Sequence, residues 1–173
     1  RSLVRVQQGA PPLEAIDMNI FVTYECPRKS AQALDNVRVV KMVLESAQML
    51  STAFHALGYS GVAPYRSNHI NHPCSVWARE CRDNFMWLHS HMDFLSQEYT
   101  HRFHREHACA KLLPLFYRYR RLIPPGVQTP FANCSLFKDK EVHTAYQQTM
   151  LHKWANDTRT PAWSNRNPPD FME

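Results

Sequence analysis

The segment from Asn36 to Gly58 has the clearest amphipathic pattern in the chain. Apolar residues recur in it every three or four positions, which is the spacing of one face of an α-helix. Gly58 favours a helix end, because glycine readily adopts the left-handed conformation found there. The pattern predicts one long helix with its apolar face against the core. The residues of that face are Val40, Val43, Ala47, Leu50, Phe54 and Leu57.

A polar stripe follows the same segment, about a third of a turn from the apolar face. One interpretation is a solvated surface on which Arg38 and Lys41 pair with Glu45. The other is that the stripe forms one wall of a polar functional site. The sequence leaves both interpretations open. The stripe consists of Arg38, Lys41, Glu45, Gln48, Thr52 and His55.

The rest of the chain is also patterned mainly for helices. Residues 19–23 are apolar and are expected to form either a strand or a segment packed on the core. A short helix is predicted over residues 27–34, because proline suits the first turn of a helix. A second long helix is predicted over residues 73–105, and two more over residues 111–123 and 139–156. The predicted fold is mainly α, a compact single-domain helical bundle with long loops.

The two ends of the chain have a different composition. We expect residues 1–17 to form a disordered leader, because they lack periodicity and contain a proline pair. Residues 3–6, Leu-Val-Arg-Val, are one translation of a sequence box in the T-arm of tRNA genes. We therefore expect read-through from an upstream tRNA gene, a true start at Met18 and a phage source. Residues 18–157 would form the helical domain, and residues 158–173 an extended tail packed by Trp163.

Composition limits the classes of function. The net charge of +5 permits an anionic partner such as nucleic acid. No apolar run approaches the length of a membrane span, so no membrane partner is expected. The five cysteines include no Cys-x-x-Cys pair, which fits a reduced, cytoplasmic compartment. No cofactor is expected.

Loop residues 59–71 form a second concentration of polar groups. Loops held by a rigid scaffold often carry function, so we expect this loop to close a pocket with the start of the following helix. The candidate pocket residues are His69, Asn71, His72 and Arg79, with Trp77 or Trp87 as an aromatic wall.

The histidine spacings do not predict a metal site. Zinc sites on helices commonly use two histidines at i and i+4 with a nearby acid, and that pattern is absent. His101, His104 and His107 recur every three residues, and each such step drifts around a helix by about sixty degrees. Cys74 lies two residues from His72 and could form a thiol–imidazole pair, although a buried structural cysteine is the favoured interpretation.

Residues 117–121, Tyr-Arg-Tyr-Arg-Arg, interleave aromatic and basic side chains. This alternation is typical of surfaces that stack bases and bind phosphates. A solvated basic helix end explains it equally well. The segment therefore stays a second candidate for nucleic-acid binding.

Several segments resemble a set of small phage proteins. They are MNIFVTYECPRKSAQALDNVRVVKMVLESAQMLSTA, NHINHPCSVWARECRDNFMWL, EYTHRF and TPFA, followed by a Trp-containing tail. That set resembles, more weakly, the phage pyrimidine-dimer DNA glycosylases. The resemblance implies a compact all-helical enzyme that flips a base and cleaves its glycosidic bond. It also implies a free N-terminal amine as the nucleophile, with one helical Glu and several Arg around it.

By this resemblance Glu45 is the acid, and Arg38 and Lys41 bind phosphate. Asn19 follows Met18, whereas a small residue follows the initiator Met in those glycosylases. The predicted function is a phage DNA-acting enzyme, glycosylase-like or base-modifying, that processes a flipped base or nucleotide. The alternative is a non-catalytic phage protein that binds a nucleotide or nucleic acid, for sequestration or counter-defence. The predicted catalytic residues are Glu45 and His72, and the predicted substrate-binding residues are Arg38, Lys41, Gln48, His69, Asn71, Arg79, Asn84 and Trp87.

Overall fold

A computed structural model describes residues 18–173, and the predicted leader, residues 1–17, lies outside the described residues. The described part contains six α-helices and no β-strand, which confirms the mainly α prediction. None of these helices combines the length and apolar character that crossing a membrane requires. The helices are α1 (Pro27–Ala33), α2 (Asn36–Ala56), α3 (Pro73–Glu80), α4 (Arg82–Phe103), α5 (Leu113–Arg118) and α6 (Val142–Asn156).

Helices α2 and α4 form the centre of the core. Phe54 of α2 lies between two rings, with its centroid 5.5 Å from that of Phe85 and 6.1 Å from that of Phe116. The predicted inward face of α2 is wrong at Val40, which is 41% exposed. At the start of the helix the buried residues are Val39 and Val43. The helix has 3.6 residues per turn, so a pattern of alternating three- and four-residue steps does not stay on one face.

The single long helix predicted over residues 73–105 is wrong, because the chain breaks at Cys81. This residue has extended backbone angles, φ −153° and ψ 163°. The backbone N–H of Arg82 donates to the Pro124 carbonyl at 2.7 Å and not to a carbonyl of the preceding helix. A Cβ at Gly126 would lie 2.8 Å from the Cys81 Cβ, so only glycine lets the later loop approach the break.

Residues 18–23 pack on the core without forming a strand. The side-chain oxygen of Asn19 accepts hydrogen bonds from the backbone N–H groups of Ile20 and Phe21. Phe21 has φ 54°, a left-handed conformation that is unusual for an aromatic residue. Gln147 of α6 donates to the Thr23 carbonyl at 2.9 Å. These contacts place the segment against α6.

The C-terminal segment, residues 158–173, packs on the helices. The indole N–H of Trp163 donates to the Ala33 carbonyl at 3.0 Å, and its ring meets Trp154 edge-on at 5.0 Å. The Phe171 ring stacks on Trp154 at 5.9 Å. The segment therefore covers the end of α1 and one side of α6.

A buried ion cluster joins this segment to the helices. Arg102 of α4 is fully buried, and it donates to Glu98 and to the carbonyls of Leu34 and Gln32. Arg166 donates to both carboxylate oxygens of Glu98. Burial alone would raise the pKa of Glu98, but hydrogen bonds from the two arginines lower it below its ordinary value.

Replacing Arg102 by Met should lower the free energy of unfolding by about 3 kcal/mol, because Glu98 and two carbonyls lose a buried donor. Urea unfolding at neutral pH measures the change. The matched control is Arg66→Met on the exposed loop, with an expected change below about 0.5 kcal/mol. Equal effects of the two variants would refute a central role for the cluster.

His91 predicts a pH dependence of stability. It is fully buried, its Nδ1–H donates to the Pro27 carbonyl at 3.1 Å, and burial lowers its pKa to about 4. The unfolded chain then takes up a proton that the folded protein excludes, so stability falls as the pH drops from about 6.5 towards 4. The loss should reach about 1.3 kcal/mol between pH 7.5 and 5.5.

The measurement is urea unfolding of the wild type and His91→Gln at several pH values. The amide can keep the hydrogen bond to Pro27 but does not titrate in this range. The variant should lose less stability than the wild type over the same pH interval. Parallel curves for the two proteins would contradict the assignment to His91.

Candidate functional site

The best candidate site is a cleft of about 680 Å³ between the first half of α2, the second half of α6 and residues 157–162. Four cationic side chains line it against two carboxylates, so the cleft suits an anionic ligand. Phe21, Met42 and Leu136 add an apolar part to the wall. The charged residues are Arg38, Lys41, Lys153 and Arg159, opposed by Asp35 and Asp157.

Arg38 is held in a fixed position on the α2 side of the cleft. Its guanidinium lies 3.1 Å from an Asp35 oxygen and 2.9 Å from an Asp157 oxygen. Burial alone would lower the pKa of Arg38, but the hydrogen bonds to Asp157 and Asp35 raise it overall. Asp35 also accepts from the indole of Trp154 at 2.8 Å. Asp35 and Asp157 therefore fix the Arg38 side chain, which connects the start of α2 to the end of α6.

Lys41 and Glu45 continue along the same helix. The Lys41 ammonium is 3.6 Å from a Glu45 oxygen, across one turn. Lys41 is 48% exposed and lines the cleft, whereas the Glu45 side chain is 16% exposed and lies one turn beyond the lining residues. This partly buried carboxylate is therefore next to the cationic part of the cleft.

The predicted loop residues lie towards the other end of α2. Thr52 bonds to the backbone of Asn68 through its hydroxyl, at 3.2 Å to the carbonyl and 3.0 Å from the N–H. Thr52 is fourteen residues after Arg38, about 21 Å along the helix axis. His69 and Asn71 are exposed on that loop, and neither lines the cleft.

Two further predicted residues stabilise the start of α3. His72 caps the helix, with its Nδ1 accepting from the Cys74 N–H at 3.1 Å. Arg79 donates to the Ile70 carbonyl at 2.6 Å. Gln48 lies half-buried on α2, also outside the cleft lining. The structure does not bring these three side chains together with Arg38 in the described cleft.

Asn84 and Trp87 have internal contacts. Asn84 is fully buried and donates to the Trp77 carbonyl and the Thr129 hydroxyl, each at 2.8 Å. The Trp87 indole donates to the Glu25 carbonyl at 2.9 Å, and its ring packs edge-on against Phe131. Both side chains hold loops on α4, and neither lines the cleft.

Sequence reasoning missed the far wall of the cleft. His152 and Lys153 come from the last turns of α6, and Arg159 from the turn after it. The available signal was the adjacent pair His152 and Lys153 near the end of the last predicted helix. Its relation to Arg38 depends on the Asp157–Arg38 ion pair between residues 119 positions apart.

A second cluster of reactive groups lies at the start of α3. The Cys74 and Cys134 sulfurs are 3.5 Å apart, and a His72 ring nitrogen lies within 4.8 Å of both. The hydrogen bond with Cys74 lowers the pKa of Cys134 to about 7, and Lys138 adds to the effect. The hydrogen bond with Cys134, together with burial, raises the pKa of Cys74. Among residues 18–173, this is the group able to ligate a metal.

One protein-family model matches the first, larger part of the described helices. Residues 18–111 match the family model described as pyrimidine dimer DNA glycosylase, and this range includes α1 to α4 with Arg38, Lys41 and Glu45. No curated protein and no solved structure matches the chain. Since the match covers more than half of the 173 residues, the chain belongs to the pyrimidine dimer DNA glycosylase family.

Proposed function

We propose that the protein is a DNA glycosylase-like enzyme that binds DNA at the α2–α6 cleft and processes a flipped base there. The family supports DNA as the substrate and a glycosylase-like activity. The observation that carries the proposal is the order of Arg38, Lys41 and Glu45 along one helix. Two cations line a cleft whose charges suit an anion, and a partly buried carboxylate follows one turn later.

Arg38 and Lys41 have different proposed roles in phosphate binding. Arg38 is already fixed by Asp35 and Asp157, so it offers a positioned guanidinium edge with little entropy left to lose. Lys41 is half exposed and can turn from Glu45 towards a phosphate. Lys153 and Arg159 on the opposite wall would bind the backbone on the other side of the extruded nucleotide.

Glu45 would stabilise the positive charge that develops on the sugar as the glycosidic bond breaks. Cleavage of such bonds passes through an oxocarbenium-like state, which a nearby carboxylate favours. Between the roles of charge stabiliser and general acid we assign Glu45 the first, because one of its oxygens lies 3.6 Å from the Lys41 ammonium.

The loop residues keep a separate proposed role. His69 and Asn71 are exposed, and they and His72 would contact DNA beyond the cleft rather than the reacting sugar. A duplex that follows α2 has the length to reach them, since the helix spans 21 residues. His72 as a catalytic residue would require the substrate to extend that far.

Glu45→Gln should abolish base excision while leaving DNA binding intact. We expect a rate at least about 100-fold lower on a duplex containing one cyclobutane pyrimidine dimer, because the amide cannot neutralise the charged sugar. Gel analysis of strand cleavage after alkali treatment measures the rate, and fluorescence anisotropy measures binding.

The matched control is Glu106→Gln, an exposed carboxylate after α4, which should keep full activity. Wild-type cleavage with an unaffected Glu45→Gln would refute the role of Glu45. Tight binding by the wild type without cleavage of any damaged duplex would favour the non-catalytic, sequestering alternative.

Lys41→Ala and Arg159→Ala should each weaken binding to any duplex. Each lost phosphate contact should lower the slope of log affinity against log salt by about 0.9, because one fewer counterion is released. Anisotropy titrations at several salt concentrations measure the slope.

Arg118→Ala is the comparison, because it lies in the other basic candidate, residues 117–121. There Arg118 stacks over Tyr119 at 5.4 Å and Arg120 over Tyr117 at 3.8 Å. The cleft proposal expects Arg118→Ala to leave the slope unchanged. A larger effect of Arg118→Ala than of the two cleft variants would move the DNA site to that segment.

A further inference from the structure

Three side chains outside the cleft converge at a point that takes no part in the chemistry proposed for the cleft. His72 and Cys74 come from the start of α3, and Cys134 comes from a loop sixty residues later in the chain. Their candidate ligand atoms all lie within 4.8 Å of one another. The histidine spacings could not predict this group, because one member is so distant in sequence.

The sulfur separation fits a bridging metal ion. The two sulfurs are 3.5 Å apart, whereas a disulfide bond is about 2.05 Å long. With zinc–sulfur bonds of about 2.3 Å and tetrahedral angles, two thiolates on one zinc ion lie about 3.8 Å apart. The thiols are therefore close to the separation that a shared ion needs.

The local backbone places all three groups with little freedom. The Nδ1 of His72 accepts a hydrogen bond from the Cys74 N–H, which fixes the ring beside Cys74. A metal ion bound at Nδ1 would take the place of this hydrogen bond. The hydroxyl of Tyr146 accepts from the Cys134 N–H at 3.0 Å and donates to the Ala132 carbonyl. The Asn19 amide donates to the Cys134 carbonyl at 3.4 Å.

We propose that His72, Cys74 and Cys134 bind a zinc-class divalent cation. Two sulfur donors and one imidazole nitrogen are the ligand types that zinc prefers. Binding converts both thiols to thiolates and releases two protons to solvent, so that two negative charges balance the divalent ion. The three side chains leave the fourth coordination position to water.

The site would join segments that are far apart in sequence. Cys74 begins α3, Cys134 belongs to the loop before α6, and Met18 contacts the neighbouring Ser75 through its sulfur at 3.3 Å. An ion at this point would hold α3, the loop and residues 18–20 together. Because the ion binds the folded chain, it should also raise the unfolding temperature.

The test is a titration of chelator-treated, thiol-reduced full-length protein with Co²⁺ under argon. Co²⁺ takes zinc sites and gives thiolate charge-transfer and tetrahedral d–d absorption bands. We expect one ion per chain, and competition by Zn²⁺. Cys74→Ser and Cys134→Ser should each weaken binding by at least about 100-fold, since losing even an outer-shell partner costs up to that much.

The matched controls are Cys26→Ser, an exposed cysteine, and Cys81→Ser, a buried one in another part of the fold. Both should keep the cobalt spectrum. A measurement without substitution is alkylation of the wild type, in which Zn²⁺ should slow modification of Cys134 but not of Cys26. Absence of a stoichiometric cobalt spectrum, or a spectrum unchanged in both ligand variants, would overturn the proposal.

Discussion

The fold depends on the hydrogen bonds that the buried guanidinium of Arg102 donates. Taking the charge of Arg102 out of water is costly. The cost is offset because Glu98, Asn36 and two carbonyl groups accept hydrogen bonds from the guanidinium. Those carbonyls, of Gln32 and Leu34, belong to the end of α1, where a helix has no partners of its own. The same contacts fix the corner at which α2 begins. The direction of α2, and with it the position of Arg38, follows from this corner.

The cleft is built from two parts of the chain, one inside the residues that match the family and one outside them. The family match ends at residue 111, yet half of the cleft wall comes from α6 and the residues after it. Asp35 connects the parts, since it accepts from Arg38 on α2 and from Trp154 on α6. The position of the Arg38 guanidinium therefore depends on residues of both parts of the chain and not on α2 alone. In the proposed function α2 contributes the carboxylate, and the C-terminal part contributes the opposite wall of the cleft.

Periodicity was enough to predict α2 and the mainly α class, because local spacing determines which side of a helix is buried. It could not predict the break at Cys81, which depends on a hydrogen bond from Arg82 to Pro124 and on the space left by Gly126. The grouping of Arg38 with Lys41 was visible in the sequence, whereas Lys153 and Arg159 join them only through tertiary packing. The same limit applies to Cys134, whose approach to Cys74 depends on the path of a long loop. The roles assigned to Glu45 and to the loop histidines remain predictions.

The C-terminal segment has a practical consequence for anyone preparing shorter forms of this protein. Its composition suggests a dispensable appendage, yet Arg166 supplies two of the hydrogen bonds to the buried Glu98, and Trp163 covers the end of α1. Truncation after Asp157 would open a water path to that carboxylate and uncover two aromatic faces. Any sequence fused after residue 173 would need a spacer for the same reason, since the Phe171 ring stacks on Trp154 just before that point.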